Sequence, residues 1–297
     1  MICSAVVKTL YNLGAKLIAK IILITGCSSG IGFDSALALK ERGHRVIASC
    51  RANEDVNKLE KLGVETINLD VNDSASIQRA FAKLLIMTNG RLDVLINNAG
   101  YGQAGALEDV SRDVMRQQFE TNVFGLLELT NLAIPVMRKQ KQGRIINISS
   151  ILGIISMPFR GAYNASKHAV EGLSDTLRLE LRSSGIKVIT IEPGPIESRF
   201  RENCVEGSLH NIPTEKSHFS KQYKTKLTSF KQEKSNSLFT KGTDAVIKKL
   251  VHAIEDKKPR AKYPVTFPAH LFIFLKRILS TRLLDKLFVF LSKKELG

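Results

Sequence analysis

The sequence predicts one α/β domain: a doubly wound parallel sheet of about seven strands with helices on both faces. Three observations predict it. Short apolar runs rich in Ile and Val alternate with longer amphipathic stretches from Lys20 to Val265; such runs are buried parallel strands, and right-handed crossovers wind them into one sheet. A glycine-rich turn stands between the first run and the first amphipathic stretch, where parallel sheets hold phosphates. The chain's 297 residues, 43% of them hydrophobic, fit one large domain without demanding two.

Ile21–Ile24 is wholly apolar and ends in glycines, so it reads as a buried strand. A helix follows over Ile31–Arg42 and stops at Gly43. Arg45–Ala48 is the second strand, Asp55–Leu62 a helix and Glu65–Leu69 the third strand. Ser74 is expected to cap the amphipathic helix Ser74–Thr88. Val94–Ile96 is the fourth strand, and helices occupy roughly Ser111–Val114 and on through Gln140. Arg144–Ile148 is the fifth strand, Tyr163–Ser183 a helix and Lys187–Ile191 the sixth strand. Past Pro193 the pattern weakens. Residues 199–241 are polar and rich in Lys and Ser, and read as a loop inserted over the substrate side. Asp244–Glu255 returns to helix, and Ala261–Val265 is the seventh strand. The domain therefore spans 20–265, between a leader at 1–19 and a tail at 266–297.

Lys8, Lys16 and Lys20 interrupt the mildly apolar leader, and no small-residue cleavage site follows it, so it does not read as a signal peptide. In the tail, Pro268–Leu291 is apolar but carries Lys276, Arg277, Arg282, Asp285 and Lys286. A spanning helix of ~20 apolar residues does not carry five charges. The segment parses as two short amphipathic helices, one with Leu271, Phe272, Leu275, Ile278 and Leu279 on a face, the other with Leu283, Leu284, Leu287, Phe288 and Leu291. Packing of these faces on the domain or on a subunit partner is the preferred reading. The rival is a peripheral membrane contact with the basic residues toward lipid headgroups.

Net charge is +16, and residues 201–297 supply +11 of it, from 20 Lys and Arg against 9 Asp and Glu. The basic loop lacks aromatic interleaving and any recognisable module, so nucleic acid is not an expected partner. Cys3, Cys27, Cys50 and Cys204 form no paired metal motif and no disulfide scaffold. No metal is expected, and free thiols point to a cytoplasmic setting.

The chemistry rests on two motifs. In Thr25-Gly26-Cys27-Ser28-Ser29-Gly30-Ile31-Gly32, Gly26 permits a tight turn, Gly30 lets the backbone approach a pyrophosphate, and Gly32 lets helix and strand pack closely. The N–H groups at the helix start, Ile31 among them, face the phosphates, and Ser28 and Ser29 add hydroxyl donors. The second strand ends at Arg51 with no acid for ribose hydroxyls, so Arg51 is expected to pair with a 2′-phosphate. That points to NADP(H). Asp70 and Val71 close the third strand and are expected to flank the adenine. Tyr163 and Lys167 stand four apart on one helix face. A nearby ammonium favours phenolate, which would draw the Tyr163 pKa down from ~10 and make it a general acid for carbonyl reduction. Ser150 is placed to hold the substrate oxygen, and the Asn122 amide, inside a helix, to bind a water for proton relay.

Together these residues resemble the short-chain dehydrogenase/reductase family over Ile21–Ser198, on Thr25–Gly32, Asp70, Asn97-Asn98-Ala99-Gly100, Asn122, Ser150, Tyr163, Lys167 and Pro193-Gly194. The resemblance implies a single-domain Rossmann fold. It implies that Asn98, Ala99 and Gly100 steady the sheet beside the cofactor, and that Lys167 binds the nicotinamide ribose as well as tuning Tyr163. It places Ile196 with its backbone at the carboxamide after Pro193-Gly194, and has Ser198 supply a hydroxyl where many members carry Thr. More weakly, Glu192–Ile196 and Lys262–Val265 resemble bacterial NADPH-dependent aldehyde reductases, with animal 17β-hydroxysteroid and retinol dehydrogenases similar at these points. The implied activity is NADP(H)-dependent interconversion of a carbonyl and its alcohol, with hydrophobic aldehydes first and ketones, retinoids or steroids behind. Ile151–Phe159, Phe200, Phe219 and Tyr223 are the expected pocket residues. The rival reading is a non-catalytic NADP-binding sensor. Family likeness also implies a homodimer or homotetramer through the helices around Ser111–Gln140.

Overall fold

The computed structural model describes residues 18–197, 200, 204, 211–225 and 239–296. Residues 1–17 of the expected leader, Ser198 and much of the 199–241 insertion lie outside the described residues. Seven strands form one parallel sheet: β1 (Ile21–Ile24), β2 (Arg45–Cys50), β3 (Glu65–Asn68), β4 (Val94–Asn97), β5 (Gly143–Ile148), β6 (Ile186–Glu192) and β7 (Lys262–Pro264). Their order is β3-β2-β1-β4-β5-β6-β7, so the direction of winding reverses between β1 and β4. That reversal opens a crevice at the carboxyl ends of the strands.

Among the described residues the helices include α1 (Gly30–Glu41), α2 (Asn53–Lys61), α3 (Ser74–Met87), α4 (Arg112–Phe119), α5 (Gly125–Lys139), α6 (Gly161–Glu180), α7 (Asp244–Glu255), α8 (Phe267–Ile278) and α9 (Thr281–Leu296). Alternation along each strand builds two cores. Ile22 and Ile24 meet Ala36 and Leu39 of α1 and Val246 and Leu250 of α7 on one face. Leu23 and Leu95 meet Phe81 and Leu84 of α3, Leu129 and Met137 of α5 and Leu177 of α6 on the other. Each large side chain buried this way contributes ~1.5–3 kcal/mol.

Most element boundaries shift by one or two residues from expectation, and three places show why. Asp73, not Ser74, caps α3: its carboxylate accepts the Ala75 N–H at 2.9 Å, while the Ser74 hydroxyl donates to Glu128 at 2.6 Å. Ser74 already has helical backbone, and the cap must precede it. Within the stretch expected to hold helices, Ser111–Gln140, a π turn at Glu120–Phe124 joins α4 to α5 and holds Asn122. Helix α6 starts at Gly161, so Tyr163 lies in its first turn, and ends at Glu180 rather than Ser183.

The tail helices fold back over the domain. Thr266 caps α8, its hydroxyl accepting the Ala269 N–H at 3.4 Å. Ala269, Phe272, Leu275, Leu284, Phe288 and Leu291 pack with Ile151, Leu152, Ile155 and Tyr163 in a satellite core. Packing is therefore seen for part of each tail face, with Leu271, Ile278 and Leu283 left on the outside.

Candidate active site

Because every strand runs the same way, the segments that follow them gather on one edge. Thr25–Gly26 follows β1, Arg51 follows β2, Asp70–Val71 follows β3, Asn98–Gly100 follows β4, Ser150 follows β5 and Pro193–Gly194 follows β6. The glycine turn is locked there by side chains from two strands. The Thr25 hydroxyl accepts the N–H groups of Asn98 and Ala99, at 3.0 and 2.9 Å. The Asn98 amide donates to the carbonyls of Thr25 and Gly26, both at 2.9 Å. Gly26 has φ +69°, and a Cβ on it would stand 2.7 Å from the Ala99 Cα. A Cβ on Gly32 would collide with the Gly26 carbonyl. Ser29 precedes α1 without a side-chain cap, and the first turn carries no acid. The N–H groups of that turn are thus left for an anion. A side-chain-free cradle at an uncapped helix start fits the pyrophosphate of a dinucleotide.

Around this cradle, Arg51 is exposed just past β2, the position from which a side chain reaches the adenosine ribose. The backbone carbonyl of Arg51 accepts the Asn68 amide at 2.8 Å. Asp70 is half-buried and accepts the Asn72 N–H at 2.9 Å. The Val71 carbonyl abuts Gly125, where a Cβ could not fit. Ile196 is bridged to Lys241, which holds its backbone at the rim. Gly194 lies against the Thr266 hydroxyl, so the start of the tail touches the cofactor edge.

Ser150, Tyr163, Lys167 and Asn122 converge beside Gly100. The Ser150 hydroxyl acts on the Tyr163 phenol and itself accepts the Leu152 N–H at 3.1 Å. The Lys167 Nζ is 5.7 Å from the Tyr163 ring centroid and donates to the Ile148 carbonyl at 2.7 Å. A Cβ on Gly100 would stand 3.1 Å from Asn122 Oδ1 and 3.8 Å from Lys167 Nζ. The electrostatics depart from expectation. Burial holds the Tyr163 phenol well above its usual range, with the Ser150 hydrogen bond pulling the other way. Burial also brings Lys167 down to about 8, opposed by Glu171 one turn later. Desolvation thus outweighs any help Lys167 gives the phenolate.

Asn122 departs too. Its amide donates to the Tyr101 carbonyl at 2.9 Å and to Ser166 at 3.0 Å, and its Oδ1 accepts the Tyr101 N–H at 3.1 Å. A side chain so engaged pins the loop after β4 to α6, and its Oδ1 keeps a second lone pair. The expected pocket residues divide as well. Ile151, Leu152, Ile155 and Met157 join the tail around Tyr163. The Phe200 ring lies 5.4 Å from that of Tyr163. Phe159, Phe219 and Tyr223 instead form a separate cluster with Ala106 and Ile212. There the Tyr223 hydroxyl donates to Asp109 at 2.8 Å and accepts the Ala106 N–H at 2.7 Å, so it anchors the insertion.

Sequence reasoning assigned no role to Thr25, nor to the buried chain in which the Asn97 amide donates to Thr130 and Asn147, and Asn147 to Ser174. It also missed Glu192, buried beside Glu171. A hydroxyl residue next to Gly26 was the only local signal for the first; the others depend on partners far along the chain.

A family model described as short chain dehydrogenase matches residues 20–208. The chain is 42% identical to the uncharacterized oxidoreductase YbbO of Escherichia coli (strain K12) over 275 residues, covering 93% of this chain and 96% of the other. It is 38% identical over 233 residues to a 3-ketodihydrosphingosine reductase of Bacteroides thetaiotaomicron, covering 78% and 83%. Among solved structures, a short-chain dehydrogenase from Streptomyces avermitilis superposes with a TM-score of 0.70 at 29% identity, covering 94% of this chain and 97% of that one.

Proposed function

The chain belongs to the short-chain dehydrogenase family, and from that premise we propose that it is an NADP(H)-dependent reductase of hydrophobic aldehydes. The observation that carries this reading is the meeting of Ser150, Tyr163 and Lys167 beneath an apolar roof of Ile155, Met157 and Phe272. NADP(H) would be held by the turn Gly26–Gly32, with Arg51 at its 2′-phosphate, and it supplies the hydride when bound. Ser150 donates a hydrogen bond to the carbonyl oxygen and Tyr163 gives that oxygen its proton. The phenol is protonated at neutral pH, the state an acid needs, while burial makes it a weaker donor than a free tyrosine. Lys167 then returns a proton toward Tyr163, and its pKa near 8 makes that transfer easy. Asn122 is a positioning residue in this scheme. The subunit interface falls on α4–α5, where Phe124 is 50% exposed.

The similarity to a 3-ketodihydrosphingosine reductase favours a second substrate class, long-chain ketones, for the same residues. A kinetic screen of aldehydes and ketones with NADPH and NADH separates the two classes. Tyr163→Phe is expected to lower kcat by roughly 10²–10⁴ while NADPH still binds. Arg51→Ala is expected to erase most of the preference for NADPH. Binding of NADPH with no turnover of any carbonyl would return the protein to the sensor reading, and an unchanged cofactor ratio in the Arg51 variant would assign the 2′-phosphate to another group.

A further inference from the structure

Helices α8 and α9 are apolar on two sides. Their inner side packs over Ile151, Leu152, Ile155 and Tyr163. On the outer side of α8, Phe267, Leu271, Phe274 and Ile278 recur at intervals of four, three and four, which makes one stripe. They are 63%, 37%, 57% and 59% exposed. Leu283 and Phe290 of α9, seven apart on one face, are 52% and 72% exposed. The Phe239 ring stacks on Phe267 at 6.1 Å and extends the same surface. Scattered apolar side chains are ordinary on a protein surface, but a contiguous set of this size marks a contact.

Charge identifies the partner. Arg277, Arg282 and Lys286 are exposed along the two helices, with Asp285 among them. Residues 266–297 carry six Lys and Arg against two Asp and Glu. Aromatic and aliphatic side chains bordered by cations match an anionic lipid surface, where rings and alkyl chains enter the acyl boundary and cations meet headgroups. Among the described residues no helix is long and apolar enough to cross a membrane. We propose that the outer face of α8–α9 docks the protein in the plane of an anionic bilayer. Docking there sets the roof over Tyr163 against the lipid, so a hydrophobic carbonyl can pass between them without crossing water. That last step rests on the reductase reading; the docking does not.

Flotation of the full chain with vesicles tests it without any assay of turnover. Wild-type protein is expected to float with phosphatidylcholine–phosphatidylglycerol vesicles roughly tenfold more than with phosphatidylcholine alone, and less as salt rises. Phe274→Ser with Phe290→Ser is expected to remain at the bottom while keeping the wild-type melting temperature and NADPH affinity. Wild-type protein that stays at the bottom with both vesicles overturns the proposal, as does a double variant that floats like wild type. Loss of a larger species on gel filtration by a double variant whose parent never floats would make this face a contact between copies instead, which also overturns it.

Discussion

Glu192 shows how strongly burial acts on a single residue. Its carboxyl is closed in at the end of β6, and burial with Glu171 nearby pushes it up to about 7 from an ordinary 4.5, against the pull of Lys262 and Thr190. Between those two values the folded protein keeps a proton that the unfolded chain has released. Stability therefore falls as pH rises through that window, and the loss is complete above about 7. Glu192→Gln removes the ionisable group and keeps an acceptor for Thr190. The variant should melt above wild type at about pH 8, by the equivalent of up to roughly 3 kcal/mol, and match it near pH 4.5. Equal melting temperatures at both pH values would show that Glu192 is ionised without cost. Burial of this kind is what the sequence conceals. The spacing of Tyr163 and Lys167 is local and was legible, whereas the directions of their pKa shifts follow from what encloses them.

At the scale of elements, the strands were legible because each is a short apolar run that only a covered parallel sheet can bury. The π turn at Glu120–Phe124 was not, since one extra residue in a helical turn leaves no mark in the amphipathic pattern. Asp73 and Ser74 are both good caps, and only backbone geometry separates them. The joint between β1 and β4 was equally hidden, because Thr25 and Asn98 are 73 residues apart. That joint is testable. Thr25→Val removes the acceptor of two N–H groups and leaves them without a partner, at a cost of about 1–3 kcal/mol each. The variant should melt lower and bind NADPH several-fold more weakly, as read by protein fluorescence titration. Lower melting with unchanged NADPH affinity would separate the joint from the cofactor cradle.

For the whole molecule, the tail decides whether the substrate side is closed. The amphipathic faces of α8 and α9 were legible from spacing, but which residues face inward was not, since both sides carry large apolar side chains. Phe288 is 7% exposed and lies 5.5 Å from the Phe272 ring. Phe288→Ala should cost about 3–5 kcal/mol of local stability and loosen the roof. Hydrogen exchange should rise across residues 266–291 while β1–β6 stay protected, and KM for a long-chain aldehyde should rise with NADPH affinity unchanged. An unaltered KM would place the substrate away from the tail.

The inner face of α9 also sets an order on synthesis. Tyr163 emerges from the ribosome well before Phe288, and at about 5–20 residues per second the delay is on the order of 6–25 s. During that interval the reacting side chains exist without their cover, and Ile151, Leu152 and Ile155 lack their partners on α8 and α9. A nascent chain of this protein therefore carries Ser150, Tyr163 and Lys167 before it has the helices that cover them.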